Sequence, residues 1–299
     1  MATLLRPILL LLGVCCLSAP YADASLRSRR LTVQGRARRY LVYAPKVLPQ
    51  AMPLVIVLHG HQGGARRIMR MSGMNAKADQ AGFLVAYPEG SRWAVLGGGS
   101  WNADHCCGYA RARAVDDVAF LKAMLERLRA EYRIDPHRVY VAGASNGAMM
   151  AYRLACELSD QIAAVASVSG TMQPEACHPS HPVSILMVHG TADTYVPYAG
   201  GDGAATADHR MDASQDAVAA FWVRHNGCVA SPHGGRQGNV EILEHTDCQG
   251  TSATKRYTIH GGGHAWPGGR RGWLFGDRPT HEFLAIDAIW EFFERHPKP

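Results

Sequence analysis

The chain has 299 residues, 47% of them hydrophobic and 19% charged, enough for one large globular domain with a substantial core. Its net charge of +6 comes from scattered basic residues, with Arg29-Arg30, Arg38-Arg39, Arg66-Arg67 and Arg270-Arg271 as isolated pairs. Such pairs read as a solvated surface, which argues against a nucleic-acid partner.

Residues Met1 to Ala24 carry Arg6, an apolar run from Ile8 to Leu17 and then Ala22-Asp23-Ala24. This is the pattern of a secretory signal peptide with an A-x-A cleavage site, its apolar run too short to span a bilayer. A lipoprotein signal at Cys15 or Cys16 is the weaker reading, because Val14 is bulky where a small residue is expected. No later stretch is long and apolar enough for a transmembrane helix, so no membrane partner is expected after cleavage. The destination is secreted or periplasmic, and residues 25–299 are expected to form a single domain without repeat, linker or low-complexity tract. Of the eight cysteines, six follow the signal: Cys106, Cys107, Cys156, Cys177, Cys228 and Cys248. An even number in an exported chain argues for disulfides. Cys228 and Cys248 flank a mostly polar segment and form a natural pair, and the other four bridge among themselves in an order the spacing leaves open. Zinc is the competing reading, but no C-x-x-C spacing is present.

Leu31-Thr32-Val33 and Tyr40-Leu41-Val42-Tyr43 flank Gln34-Gly35-Arg36 and predict an antiparallel hairpin. Pro53 to Leu58 is a continuous apolar run, as in a strand buried on both faces. It opens into the glycine-rich loop His59-Gly60-His61-Gln62-Gly63-Gly64, followed by a helix around Ile68 to Gln80 and a buried strand over Phe83 to Tyr87. From Glu89 to Arg113 the sequence loses all period and predicts a long loop of the kind that tends to be functional. Val118, Leu121, Leu125, Leu128 and Tyr132 give the apolar face of a helix whose first turn carries Asp116 and Asp117 to complement the dipole. Strands over 138–142, 163–169 and 184–188, a helix from about Ala213 to His225, a strand over Lys255 to Ile259 and a closing helix through Phe293 complete the pattern. Alternation of strand and helix predicts an α/β architecture with a mostly parallel central sheet and helices on both faces.

Within that pattern, Val139-Tyr140-Val141-Ala142 runs into Gly143-Ala144-Ser145-Asn146-Gly147 and then a small-residue helix. This G-x-S-x-G corner forces the serine into a strained conformation and exposes its hydroxyl at the carboxyl edge of the sheet. The alternative is a structural turn with a capping serine. A serine hydroxyl needs a base and a carboxylate to orient that base, expected in the order Ser, Asp or Glu, His and in loops after later strands. Asp193, in the turn after the 184–188 strand, is the carboxylate. His264, beyond three glycines after the Lys255 to Ile259 strand, is chosen as base over His260, which still belongs to the strand end. Two backbone donors must hold an oxyanion, expected from the amide of Asn146 and that of His61, with Gln62 as second choice for the latter. Trp101 and Trp266, on neighbouring loops, could wall the site, with plain burial the rival reading. A metallohydrolase is the sharpest chemical alternative, given His59, His61, His189, His260 and His264. It lacks an acidic ligand in the His59 loop and an H-E-x-x-H helix, so no metal is expected.

Taken together, Leu58-His59-Gly60, Trp101-Asn102 with Cys106-Cys107-Gly108, Val115 to Val118, Ile134-Asp135-Pro136 and the Ser145 corner resemble one known family. His189-Gly190-Thr191-Ala192-Asp193 and Gly262 to Gly269 extend the likeness over nearly all of residues 25–299. The chain resembles the secreted polyhydroxybutyrate depolymerase and feruloyl esterase-like α/β-hydrolases, related to carbohydrate esterase family one. The resemblance implies an α/β-hydrolase fold and a Ser145, Asp193, His264 triad cleaving esters without a cofactor. Small or polymeric esters are the implied partners: first hydroxyalkanoate polyesters or their oligomers, alternatively feruloyl esters or acetylated xylan. Nothing that reads as a linker and polymer-adsorbing domain follows the closing helix, which weighs against a solid polymer. A non-catalytic secreted binding module on the same fold is the distant alternative. The oligomeric state is not legible.

Overall fold

The computed structural model describes residues 24–93, 97–206, 209–272 and 276–299. The expected signal peptide, Met1 to Ala24, lies outside the described residues except for Ala24 itself. β1 (Ser25–Val33) and β2 (Arg36–Ala44) form the expected hairpin, with Val33 opposite Arg36. Its two turn residues, Gln34 and Gly35, have φ of 49° and 73°, the left-handed pair whose twist matches that of flanking strands.

β3 (Met52–Leu58) is buried along its whole length. The single helix expected over Ile68 to Gln80 is instead two, α1 (Ala65–Ser72) and α2 (Met74–Ala81). Gly73 separates them: it adopts φ 68°, and its amide bonds the Met69 carbonyl, closing α1 with a left-handed cap. β4 (Leu84–Pro88) follows, then a long irregular segment containing one short helix, α3 (Gly108–Ala112). In α4 (Asp117–Glu131), Asp116 is the N-cap and accepts from the Ala119 amide. Asp117 lies in the first turn of α4, as expected. It is fully buried, ion-paired with Arg38 at 2.6 Å, and its second oxygen accepts the Asn102 amide at 2.8 Å. This pins the irregular segment to β2 and α4.

The rest of the chain runs β5 (Ile134–Ala144), α5 (Asn146–Glu157), β6 (Ala164–Val168), β7 (Ser184–Gly190) and a two-residue ribbon, β8 (Gly201–Asp202) with β9 (Met211–Asp212). Then come α6 (Gln215–His225), β10 (His233–Gln237), β11 (Val240–His245), β12 (Thr254–Ile259) and α7 (Ala285–Arg295). The β10–β11 hairpin was not expected. All five residues of β10 are exposed and two are glycine, so this edge strand carries no alternation to read.

One ten-stranded sheet results, in the order β1-β2-β4-β3-β5-β6-β7-β12-β11-β10. From β4 to β12 every neighbouring pair is parallel, and antiparallel strands close both edges. Two cores follow from the period of two along each strand. Leu54, Ile56 and Leu58 of β3 pack with Phe120 and Leu121 of α4, Met150 and Leu154 of α5 and Trp222 of α6. Val55 and Val57 face the other way, onto Ile68, Met74, Ile289, Trp290 and Phe293 of α1, α2 and α7. This is the α/β-hydrolase architecture, and every parallel strand ends on the same edge. Cys228 pairs with Cys248 as expected, and the other four resolve as Cys106–Cys107 and Cys156–Cys177. Among the described residues no helix is long and apolar enough to cross a membrane.

Candidate active site

Three of the parallel strands end in the residues that sequence chemistry singled out. Ser145 stands between β5 and α5 with φ 55° and ψ −125°, a conformation that L residues rarely adopt. Its side chain makes no capping bond, so it is not a cap serine. The glycines on either side are sterically required. A Cβ on Gly143 would lie 2.2 Å from the Gly147 carbonyl oxygen, and one on Gly147 would lie 2.4 Å from that of Leu58. The corner is thus pressed onto the end of β3, and a Cβ on Gly60 would sit 3.2 Å from that of Ser145. The loop carrying His61 therefore passes directly against the serine.

Asp193 follows β7 and His264 follows β12, adjacent strands whose terminal loops interlock: the Ala192 amide donates to the Gly262 carbonyl at 2.8 Å. His264 Nδ1 and Asp193 Oδ2 are 2.7 Å apart. Because a carboxylate only accepts, Nδ1 carries the ring proton, and neutral His264 keeps its lone pair on Nε2. Asp193 Oδ1 accepts from the amides of Tyr195 and Val196, both at 2.9 Å. Burial pushes the Asp193 carboxyl up, but the hydrogen bonds it accepts from His189 and His264, with the attraction of those rings when protonated, outweigh it and hold the group well below the ordinary carboxylate range. The side chain stays ionised while buried.

Two supporting groups escaped the sequence reading. His189 Nε2 lies 2.8 Å from the Val196 carbonyl and 3.3 Å from Asp193 Oδ2, donating toward both from beneath the carboxylate. Asp277 Oδ2 accepts the His264 amide at 2.6 Å, so a second carboxylate holds the histidine loop from outside. His189 was singled out only as a possible metal ligand and as part of the His189 to Asp193 stretch of the resemblance, without this role, and Asp277 sits in an irregular segment with no period.

A cavity of about 760 Å³ opens over the corner. Ser145, Asn146, His264, His61, Gln62 and Trp266 line it, and Asp193 lies behind His264. Trp101 does not line it, a correction to the expected substrate wall. It is fully buried because its indole has an internal partner, donating from Nε1 to the His59 carbonyl at 2.8 Å. Its backbone also clamps the Asn146 side chain, donating to Oδ1 at 2.8 Å and accepting from Nδ2 at 3.0 Å. Trp101 thus joins the two segments flanking the serine. Replacing it with phenylalanine leaves the buried His59 carbonyl without a donor, which should lower unfolding free energy by about 1–3 kcal/mol. With the 59–62 loop released, kcat should fall more than KM rises. Urea unfolding and steady-state kinetics on 4-nitrophenyl butyrate read both, and unchanged values in both would remove this role.

His59 and His260, two more histidines of the metal alternative, each have a local partner. His59 accepts the Gly90 amide at Nε2, 2.9 Å, and its Nδ1 faces the Gly60 carbonyl at 2.8 Å. Burial lowers it to about 4, so it is a neutral structural tie. His260 Nε2 meets Glu241 at 3.1 Å. Among the described residues no three His, Cys, Asp or Glu side chains are grouped so as to hold a metal ion.

The family model described as Esterase PHB depolymerase matches residues 39–204, more than half of the chain. The chain is 36% identical to NocK of Nocardia uniformis subsp. tsuyamanensis over 84% of its own length and 76% of that protein's. It is 32% identical to feruloyl esterase B of Piromyces equi over 76% of this chain and 42% of that one. With feruloyl esterase C of Emericella nidulans it shares 27% identity over 87% of this chain and 85% of that one. Among solved structures, the acetyl xylan esterase from Aspergillus awamori superposes with a TM-score of 0.60 at 18% identity, covering 90% of this chain and 99% of that one. A fold whose parallel strands end in a serine corner and a paired carboxylate and imidazole, with these relatives, makes the chain a carboxylic ester hydrolase belonging to the esterase PHB depolymerase family.

Proposed function

We propose that the chain is an exported serine esterase in which Ser145, His264 and Asp193 form the catalytic triad. One observation carries this reading: the 2.7 Å bond from His264 Nδ1 to an ionised Asp193, on a cavity wall that also presents Ser145. His264 Nε2 takes the Ser145 proton as Oγ adds to the ester carbonyl. The amides of Asn146 and His61 hold the oxyanion, and Asp193 steadies the imidazolium. The alcohol leaves with the proton from Nε2. Water, deprotonated by the same nitrogen, then attacks the acyl-serine and releases the acid. Residues 1–24 act as the export signal, residues 25–299 form one catalytic domain, and the three disulfides suit an oxidising compartment.

The substrate we favour is a hydroxyalkanoate ester of the polyhydroxybutyrate type. The family supports it, as does the apolar wall of Ile68, Met71, Met149, Val168 and Trp266 beside the serine. The relatives named feruloyl esterase favour a second reading, esters on plant polysaccharides. The deciding experiment is a hydrolysis panel of hydroxybutyrate oligomers, methyl ferulate, acetyl-xylan and 4-nitrophenyl acyl esters, run beside Ser145→Ala. Highest turnover on the oligomers is expected, with no hydrolysis by the variant and no labelling of it by a fluorophosphonate. Labelling of the variant equal to wild type would remove Ser145 as nucleophile. A ferulate or acetyl-xylan preference would establish the second reading.

A further inference from the structure

The cavity has an uneven charge pattern that ester cleavage alone does not use. Among the described residues its lining includes Arg67, Arg210, Arg270 and Arg271, against one acid, Asp277, which already accepts the His264 amide. Arg210 is engaged too, bonded to Asp212 at 3.0 Å and to the Tyr195 carbonyl at 2.9 Å. Arg67 and Arg270 differ. Arg67 gives one bond, at 3.3 Å, to the Gln62 carbonyl, and neither Arg67 nor Arg270 forms an ion pair among the described residues. Both are solvent-exposed.

Their placement is fixed by structure below them. Arg67, Ile68 and Met71 form one face of α1 and all line the cavity. The loop after His264 lies across the end of that helix, with the Arg270 amide donating to the Met71 carbonyl at 3.3 Å. Ile68, Met71 and Trp266 therefore make an apolar wall whose outer lip carries two guanidinium groups. A neutral aliphatic or aromatic ester would fill the wall and leave the lip unused. An ester with an apolar stretch ending in a carboxylate would use both, because guanidinium binds carboxylate through two parallel, charge-assisted hydrogen bonds.

We propose that this cavity selects esters bearing a free carboxylate remote from the scissile bond, and that Arg67 and Arg270 are the residues that recognise it. The inference rests on the serine-esterase reading above and names the substrate class of that site. It concerns binding and steering, so it leaves the chemical step as described.

The test uses mono-4-nitrophenyl esters of succinate, adipate and sebacate, each beside a neutral isostere with isopropyl in place of the carboxylate. A second pair, the butyrates of 6-hydroxyhexanoate and 6-methylheptanol, carries the charge on the alcohol side and is followed by pH-stat. At low ionic strength at least one anionic ester should show kcat/KM roughly tenfold above its isostere. The advantage should shrink in about 0.5 M NaCl, as screening of exposed charges requires. In Arg67→Gln/Arg270→Gln the anionic-to-neutral ratio should approach one, and in Arg67→Lys/Arg270→Lys it should be partly kept. If the double glutamine variant does not fold, Arg270→Gln alone decides. Ratios near or below one in every wild-type pair, or a preference that survives both salt and the glutamine variants, would overturn the proposal. Wild-type hydrolysis of the neutral esters without anionic advantage sinks this inference alone, whereas no hydrolysis of any ester sinks the esterase reading with it.

Discussion

Ser145→Gly is expected to abolish ester hydrolysis and to make the protein more stable. The hydroxyl is lost, and knocking out the nucleophile of a serine hydrolase lowers kcat by about 10⁶-fold. Stability moves the other way because of the backbone. At φ 55° and ψ −125° a side chain at this corner is strained, a condition worth about 1–3 kcal/mol that glycine relieves. Glycine also costs about 0.5–1 kcal/mol through the greater freedom of the unfolded chain. The Oγ makes no capping bond that would be missed, so the net should be a gain of about 1 kcal/mol. For a chain of this size that is a rise of about 1.5–2 °C in Tm. Ser145→Ala is the control: it removes the same hydroxyl but keeps the Cβ, so it should be equally inactive without the gain. If the two variants unfold at the same temperature, the corner stores no strain that the side chain feels. If Ser145→Gly retains activity, the nucleophile lies elsewhere.

That experiment separates what the sequence makes readable from what it hides. The corner was readable because its demands are local: two glycines where carbonyl oxygens would meet a Cβ at 2.2 and 2.4 Å, and a serine between them. Asp193 and His264 were readable because parallel strands deliver their ends to one edge, so only the few residues just beyond β7 and β12 could serve. The break at Gly73 was hidden because the apolar period continues through it, and β10 because an exposed strand with two glycines has no period at all. Trp101 was misjudged for a different reason. Its loop position next to the corner was correctly inferred, but the direction of an indole depends on which carbonyl lacks a donor. Here that is His59, 42 residues away in the chain. The contacts of Asp277 and His189 were missed in the same way, since each acts on a residue of the proposed triad through a contact that no spacing rule anticipates.

Asp193→Asn should separate the electrostatic and the structural work of the buried carboxylate. The amide can keep the acceptor at Oδ1 for the Tyr195 and Val196 amides, so the loop should survive. Toward His264, however, it can present an N–H, which favours the ring tautomer with its lone pair on Nδ1 and leaves no base facing Ser145. The expected loss in kcat is about 10⁴-fold with KM little changed. The same substitution alters acid stability in a definite direction. In the folded protein, hydrogen bonds from His189 and His264 hold the Asp193 carboxyl well below its ordinary value against the opposing effect of burial. A carboxyl depressed on folding stabilises the protein fully above its unfolded value of about 4, and that contribution fades as pH falls toward the folded value. Wild type should therefore lose unfolding free energy on going from pH 5 into stronger acid faster than Asp193→Asn, and the two urea-unfolding curves should converge in acid. Parallel acid profiles would mean that Asp193 carries no depressed titration in the folded state. Retention of more than about a tenth of wild-type kcat would mean that His264 does not depend on this carboxylate for its tautomer, and the proposed triad would lose its third member.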